Sequence, residues 1–130
     1  MSSYTITKGH NLKISGIPEL EIYDIQESKA VTLHPSRLKS FKTKLLIKMN
    51  DDVKVGTPLF FDKNNPDVMF VSPVSGKISD VVYGKRRVVK LISIANDSNY
   101  STVSFDNEIS KDTLLKSGLW SLIRQKPFSK

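Results

Sequence analysis

The chain has 130 residues, no cysteine, 38% apolar and 25% charged residues, and a net charge of +7 from 20 Lys and Arg against 13 Asp and Glu. This is the make-up of a soluble globular chain able to bury one core, and the missing thiols exclude a disulfide, a thiolate metal site, a cysteine nucleophile and a cysteine-ligated iron–sulfur cluster here. No apolar run approaches the roughly 20 residues that span a bilayer, and MSSYTITKGH has no apolar core behind a positive flank, so a soluble, unexported chain is expected.

From residue 4 to 33 the pattern is of short extended pieces: Tyr4-Thr-Ile-Thr, Leu12-Lys-Ile, Leu20-Glu-Ile-Tyr and Ala30-Val-Thr-Leu, broken at Gly9, at Gly16-Ile-Pro18 and at His34-Pro35. Leu20 and Ile22 alternate with Glu residues, which predicts a half-buried strand. His10 and His34 are the only imidazoles. Neither has a second ligand at metal spacing, so both are taken as loop histidines and no metal is assigned.

Residues 44–48 place Leu45, Leu46 and Ile47 in a strand that ends at the turn Asn50-Asp51-Asp52. Adjacent carboxylates on a turn or strand point apart, so Asp51 and Asp52 are read as turn residues rather than an acid–base pair. The stretch from residue 50 to 94 organises the chain. Its apolar runs at 59–61, 68–71 and 78–83 are too short for helices and are separated by Val-Gly-Thr-Pro, Asn-Asn-Pro-Asp, Ser72-Pro73 and Ser75-Gly76. They predict strands joined by turns. In the run 87–95 the residues Val88, Val89, Leu91, Ile92 and Ile94 fall on both faces of an extended chain, which predicts a central strand between layers.

Between two of these strands, Gly84-Lys85-Arg86-Arg87 predicts a tight hairpin presenting three cations. With one glycine and no helix behind it, the loop lacks the amides of a phosphate cradle. Docking onto a neighbouring domain or subunit through Lys85, Arg86 and Arg87 is the expected use. The remaining basic residues, Lys39, Lys42, Lys44, Lys48, Arg124, Lys126 and Lys130 among them, are interleaved with acidic ones. No nucleic-acid-binding signature accompanies them, so nucleic acid is not expected as a partner. No catalytic or cofactor-binding residue is assigned.

After the polar loop Asn96-Asp97-Ser98-Asn99 the period changes. Ser110 is placed to cap a helix starting at Lys111, Asp112 lies near its positive end, and Leu114, Leu115, Leu119, Leu122 and Ile123 recur at helical spacing. Gly118 is expected to end the first turns before a second short helix at 119–124. Trp120, the one tryptophan, is read as a packing anchor.

Asp52, Val53, Gly56, Leu59, Asp62, Lys63, Ser72, Pro73, Gly76 and Ile78 follow the order D-x-V-x-x-G-x-x-L, a hairpin with D-K, then S-P-x-x-G-x-I. That order resembles biotinyl and lipoyl domains, which are flattened barrels of short strands. Asn64, Asn65, Pro66 and Asp67 lengthen the hairpin, and no Met-Lys-Met flanks Lys63, so Lys63 is not expected to carry a prosthetic group. Four blocks, at residues 6–19, 59–78, 84–89 and 117–130, are more broadly similar to the N-terminal part of the NqrA family, the A subunits of the Na+-translocating NADH:quinone reductases. Lys126 departs mildly from that family, where arginine is usual. The C subunit of the Rnf complexes shares the barrel pattern without the closing block.

The resemblance implies a mainly β barrel-sandwich hybrid with a short helical C-terminal segment: residues 1–105 as the lipoyl-like domain and 106–130 leading into a missing remainder of the subunit. It also implies a peripheral place on the cytoplasmic side of the bacterial inner membrane, in a complex that oxidises NADH, reduces ubiquinone and exports sodium. The flavins and the iron–sulfur centre would lie in partner subunits, with ubiquinone as the substrate of the complex. No S-G-A-T flavin-attachment site occurs, since Val74-Ser75-Gly76-Lys77 fails at its last residues, and no catalysis by this part alone is expected. A biotinyl or lipoyl carrier and a freestanding basic binding module are the alternatives.

Overall fold

The strands of the computed structural model, which describes residues 9, 13–38, 40–105 and 109–123, are β1 (Ala30–Leu33), β2 (Thr43–Leu45), β3 (Asp52–Val53), β4 (Pro58–Asp62), β5 (Asn65–Val71), β6 (Gly76–Tyr83) and β7 (Val89–Asn96). They form two antiparallel sheets, ordered β1-β7-β6-β3 and β2-β4-β5. The expected barrel-sandwich architecture, mainly β with a short helix, is the one found.

Strand β7 holds the predicted central place, but only one of its faces enters the core. Val89, Ile92 and Ile94 are buried, Leu91 is half-buried, and Val88 lies 49% exposed ahead of the strand. Strict alternation would set Val89 and Ile92 on opposite faces. The register explains the difference: Val82 faces Leu91 and Tyr83 faces Val89, so Lys90 is an extra, unpaired residue whose bulge brings Val89 to the face of Ile92 and Ile94. Ser79 does the same for β6, between the Ile78–Ile94 and Asp80–Ser93 pairs, and keeps Ile78 and Val81 on one side.

Leu59, Ile78, Ile92 and Ile94 are wholly buried between the sheets, joined by Ile47, Val53, Phe60, Val74 and Val89. Each such side chain contributes roughly 1.5–3 kcal/mol by leaving water. At one side Phe60 and Phe70 stack at 5.0 Å, and Phe41 meets both edge-on, at 5.9 and 5.1 Å.

The N-terminal expectations divide. Residues 30–33 form β1 as predicted, and the Tyr4-Thr-Ile-Thr piece and His10 lie outside the described residues. The half-buried strand at Leu20-Glu-Ile-Tyr is corrected: residues 13–28 form no strand, and Leu20 and Ile22 are each 99% exposed. The alternation is real, but among the described residues no neighbouring strand bonds the backbone there. The extended piece at Leu12-Lys-Ile is likewise no strand at its described residues.

The C-terminal elements form at the expected residues. Ser110 Oγ accepts from the Thr113 amide at 3.2 Å and caps helix α1 (Lys111–Lys116). Gly118 then takes the left-handed conformation (φ 77°) before a 3-10 turn at Leu119–Leu122. A Cβ on Gly118 would come within 2.9 Å of Val71 Cγ2, so the glycine lets this segment lie against β5. Trp120 is half-buried and lies under the Lys111 ammonium, 5.8 Å from its ring centroid, consistent with an anchor. No helix among the described residues is long and apolar enough to cross a membrane.

Candidate functional site

Lys85, Arg86 and Arg87 form a one-turn 3-10 segment joining β6 to β7, and all three are exposed. The loop is closed at its base by Gly84 N–H donating to Val88 O at 2.7 Å and, more weakly, Val88 N–H to Lys85 O at 3.3 Å. Gly84 itself is extended (φ −94°, ψ −163°), and the left-handed geometry falls on Arg86 (φ 56°) and Arg87 (φ 59°). Two non-glycine residues in that region cost on the order of 1 kcal/mol each, strain that concentrates at functional loops.

Among the described residues no carboxylate pairs with the three cations, and the ion pair found is Lys77–Asp52, at 3.4 Å. Tyr83 (55% exposed) and Val88 flank the cations, so the tip presents an aromatic and an aliphatic surface beside three donors. Neither flanking residue stands out in the sequence, because each belongs to an apolar run that reads as strand. Only the tip geometry turns them outward.

The residues that carry the carrier-domain likeness hold the two sheets together. Gly56 (φ 91°) donates its N–H to Ser72 O, and Ser72 N–H donates to Thr57 O, both at 2.9 Å, so the two halves of the motif bond one another directly. Ser72 Oγ, buried, donates to Val74 O at 2.6 Å. Gly76 (φ 143°) passes between β3 and β7, pairing with Val53 and Asn96. Beside it Ser75 Oγ donates to Asp97 Oδ1 at 2.5 Å and accepts from Ser101 N–H at 3.1 Å, while Asp97 Oδ1 also accepts from Asn99 N–H at 3.0 Å. The Ser75 hydroxyl and then the Asn99 amide hold the Asp97 carboxyl below the usual carboxylate range. A buried serine with its proton on a carboxylate and its lone pair on an amide is a latch, not a nucleophile.

Lys63 lies in a two-residue tip, Lys63-Asn64, since Asp62 pairs with Asn65. The extra residues expected to lengthen the hairpin are instead taken up inside β5, where Phe61 pairs with Met69 and residues 66–68 bulge out. Asp62 fixes the tip by accepting from Lys42 N–H at 3.0 Å and Asn64 N–H at 3.1 Å. Burial works to raise its carboxyl, but these amides and the Asn65 and Asn64 side chains outweigh it and hold the group low.

Asp51 and Asp52 diverge as expected: Asp51 Oδ2 accepts from Lys48 N–H at 2.7 Å, whereas Asp52 pairs with Lys77. No three His, Asp or Glu side chains converge on a metal-sized site among the described residues. An open groove of 510 Å³ beside the latch is lined by Asp52, Lys54, Lys77, Asn96, Asp97 and Ser101, among others; of its carboxylates, Asp52 is paired with Lys77 and Asp97 is held by Ser75.

Compared with known proteins, residues 4–97 match the family described as the NqrA N-terminal barrel-sandwich hybrid domain. The chain is 37% identical to the A subunit of the Na(+)-translocating NADH-quinone reductase of Tolumonas auensis, over 97% of this chain and 31% of that protein. The corresponding protein of Neisseria meningitidis serogroup A is 38% identical over 96% of this chain and 30% of its own length. That of Vibrio vulnificus strain YJ016 is 37% identical, with coverages of 97% and 30%. The chain therefore spans about three tenths of the length of the curated relatives it matches.

Proposed function

The chain belongs to the family of NqrA N-terminal barrel-sandwich hybrid domains, and from that premise we propose that it serves as the non-catalytic N-terminal part of the NqrA subunit of a Na+-translocating NADH:quinone reductase. In this proposal the complex oxidises NADH, reduces ubiquinone and exports sodium, and other subunits hold the flavins and the iron–sulfur centre. The chain lies peripherally at the cytoplasmic face of the membrane, and residues 106–130 lead from the barrel into the rest of NqrA. The observation that carries the proposal is similarity to an NADH-quinone reductase subunit over 97% of the chain.

The work of the chain is docking, and the β6–β7 tip is its candidate contact. Lys85, Arg86 and Arg87 stand exposed on a strained turn beside Tyr83 and Val88, a combination suited to an acidic protein surface of NqrA or its neighbours. Rim charges of this kind steer association and weaken with salt, whereas a desolvated pair costs roughly 2–5 kcal/mol when one partner is lost. The test is purification of the full-length protein from membranes with its companions identified. Co-purification of the other reductase subunits is expected. A Lys85→Glu, Arg86→Glu, Arg87→Glu variant should fold yet assemble poorly. Normal assembly of that variant with a fall only in quinone turnover would move the loop to a substrate path.

One observation favours a second reading, a lysine-borne carrier: Lys63 stands on a two-residue tip, the geometry that such carriers present. Its neighbours Asp62 and Asn64 differ from the methionines of the carrier motif. Intact-mass measurement after co-production with a ligase decides between the two.

A further inference from the structure

The cations of the β6–β7 tip are one contact; residues 13–29 provide another of opposite character. Ile14, Ile17, Leu20, Ile22 and Ile25 are exposed almost to the limit, between 81% and 99%. Among the described residues the segment is tied down at its C-terminal end, where Asn96 N–H donates to Lys29 O at 2.9 Å and Asn96 Nδ2 donates to Ser28 O at 3.1 Å. Upstream of this anchor the chain leaves the outer edge strand β1. At about 3.3 Å per extended residue, the ten steps from Lys29 back to Glu19 reach roughly 30 Å.

The part at residues 19–23 already has the two faces of a strand. The Tyr23 hydroxyl lies 2.7 Å from Glu21 Oε2 and 3.0 Å from Glu19 Oε2, so Glu19, Glu21 and Tyr23 share one side. Alternation leaves Leu20 and Ile22 on the other. Its charge also sets it apart from the rest of the molecule. Lys13 and Lys29 against Glu19, Glu21, Asp24 and Glu27 give −2, so the rest of a chain of net +7 carries +9. The family match over residues 4–97 includes the segment, which makes it part of the domain.

We infer that residues 19–25 are a docking strand that adds to a basic sheet edge supplied from outside these 130 residues. Leu20 and Ile22 enter its apolar side, and Glu19 and Glu21 meet Lys or Arg side chains on the other. Backbone hydrogen bonds to that edge satisfy amides that have no ladder partner among the described residues. A second copy is a poor occupant: symmetric antiparallel pairing centred on Leu20 or Glu21 sets carboxylate against carboxylate, which opposes the pairing. An anionic membrane surface is excluded by the same charge.

This inference rests on the proposal that the chain works inside an assembly, and hydrogen exchange separates the two. In the chain alone, amides 19–25 are expected to exchange at the rate of an open peptide; in the purified assembly they should slow at least tenfold. Leu20→Asp and Ile22→Asp, at positions that are each 99% exposed, should leave the melting of the chain unchanged and lower its recovery with companions severalfold. Glu21→Lys should do the same. Equally fast exchange in both states overturns the docking strand while leaving the assembly intact. Protection in the chain alone that grows with concentration, or that needs anionic vesicles, overturns it in favour of a second copy or a membrane. Purification without companions overturns the assembly and the strand together.

Discussion

Gly76 lies so close to the Ala95 carbonyl that a Cβ built on it would fall 1.9 Å from that oxygen. Its φ of 143° is also one that side chains rarely adopt. Gly76→Ala therefore has to part β6 from β7 at the centre of the four-stranded sheet, and a loss of at least about 3 kcal/mol is expected in denaturant unfolding. Gly84→Ala is the control. At Gly84 the nearest atom is Val88 O at 3.7 Å and φ is negative, so its cost should stay within about 1 kcal/mol.

Ile92→Ala removes a wholly buried side chain that faces Val81 across the sheet. It should destabilise by about 2–5 kcal/mol, with the exposed Leu122→Ala near neutral. Equal melting temperatures for the two would contradict the placement of the core.

Arg86→Gly and Arg87→Gly each place glycine where the backbone is left-handed. Relief of strain outweighs the added freedom of the unfolded chain, so each should raise stability by a few tenths to about 1 kcal/mol, read as a higher melting temperature. The same variants lose a cation of the proposed docking tip. A thermal gain accompanied by weaker assembly is the expected signature.

The carboxyls of Asp97 and Asp62 both titrate below the usual range in the folded chain. On acidification the unfolded state takes up protons first, near the ordinary value of about 3.9. The stabilisation is thus fully present above that pH and is lost as pH falls through the lower folded values. Melting temperature should be flat near neutrality and drop below about pH 4. Asp97→Asn should lower the neutral plateau and flatten the acid limb.

Under the proposed function, Lys63→Arg should leave quinone reductase activity of the assembled complex unchanged within about twofold, because Asp62 and Asn64 beside it do not match the methionines of a carrier motif. A large loss, or an adduct on the wild-type chain, would favour the carrier.

The two-sheet fold was legible from residue 44 onwards because turn chemistry there is dense: Gly56, Pro58, Ser72-Pro73 and Gly76 each mark a real break. Ser110 and Gly118 did the same for the helical end. Residues 13–28 misled, since alternation reports two unlike faces and not whether a partner strand lies within the same chain. The burial of one face only in β7 was also hidden, because a bulge such as Lys90 leaves no residue-type signature. At the candidate contact the cations were plain in sequence, but their strain was not: a glycine sits next to them, and the unusual geometry belongs to the arginines.

The extra residue in β7 bears on how this chain tolerates change in length. At Lys90 the side chain is exposed, and many substitutions there should pass unnoticed. Deleting the residue would close the bulge and leave Val89 two places from Ile92, still on the core face by plain alternation; a second residue added there is another matter, because it would turn Val89 from the core to solvent. A lost residue should therefore be accepted at position 90, whereas an inserted one should be accommodated in the 84–87 turn and refused three positions later, although both sites lie at the surface. Along this hairpin it is the spacing between residues, as much as their identity, that natural variation has to respect.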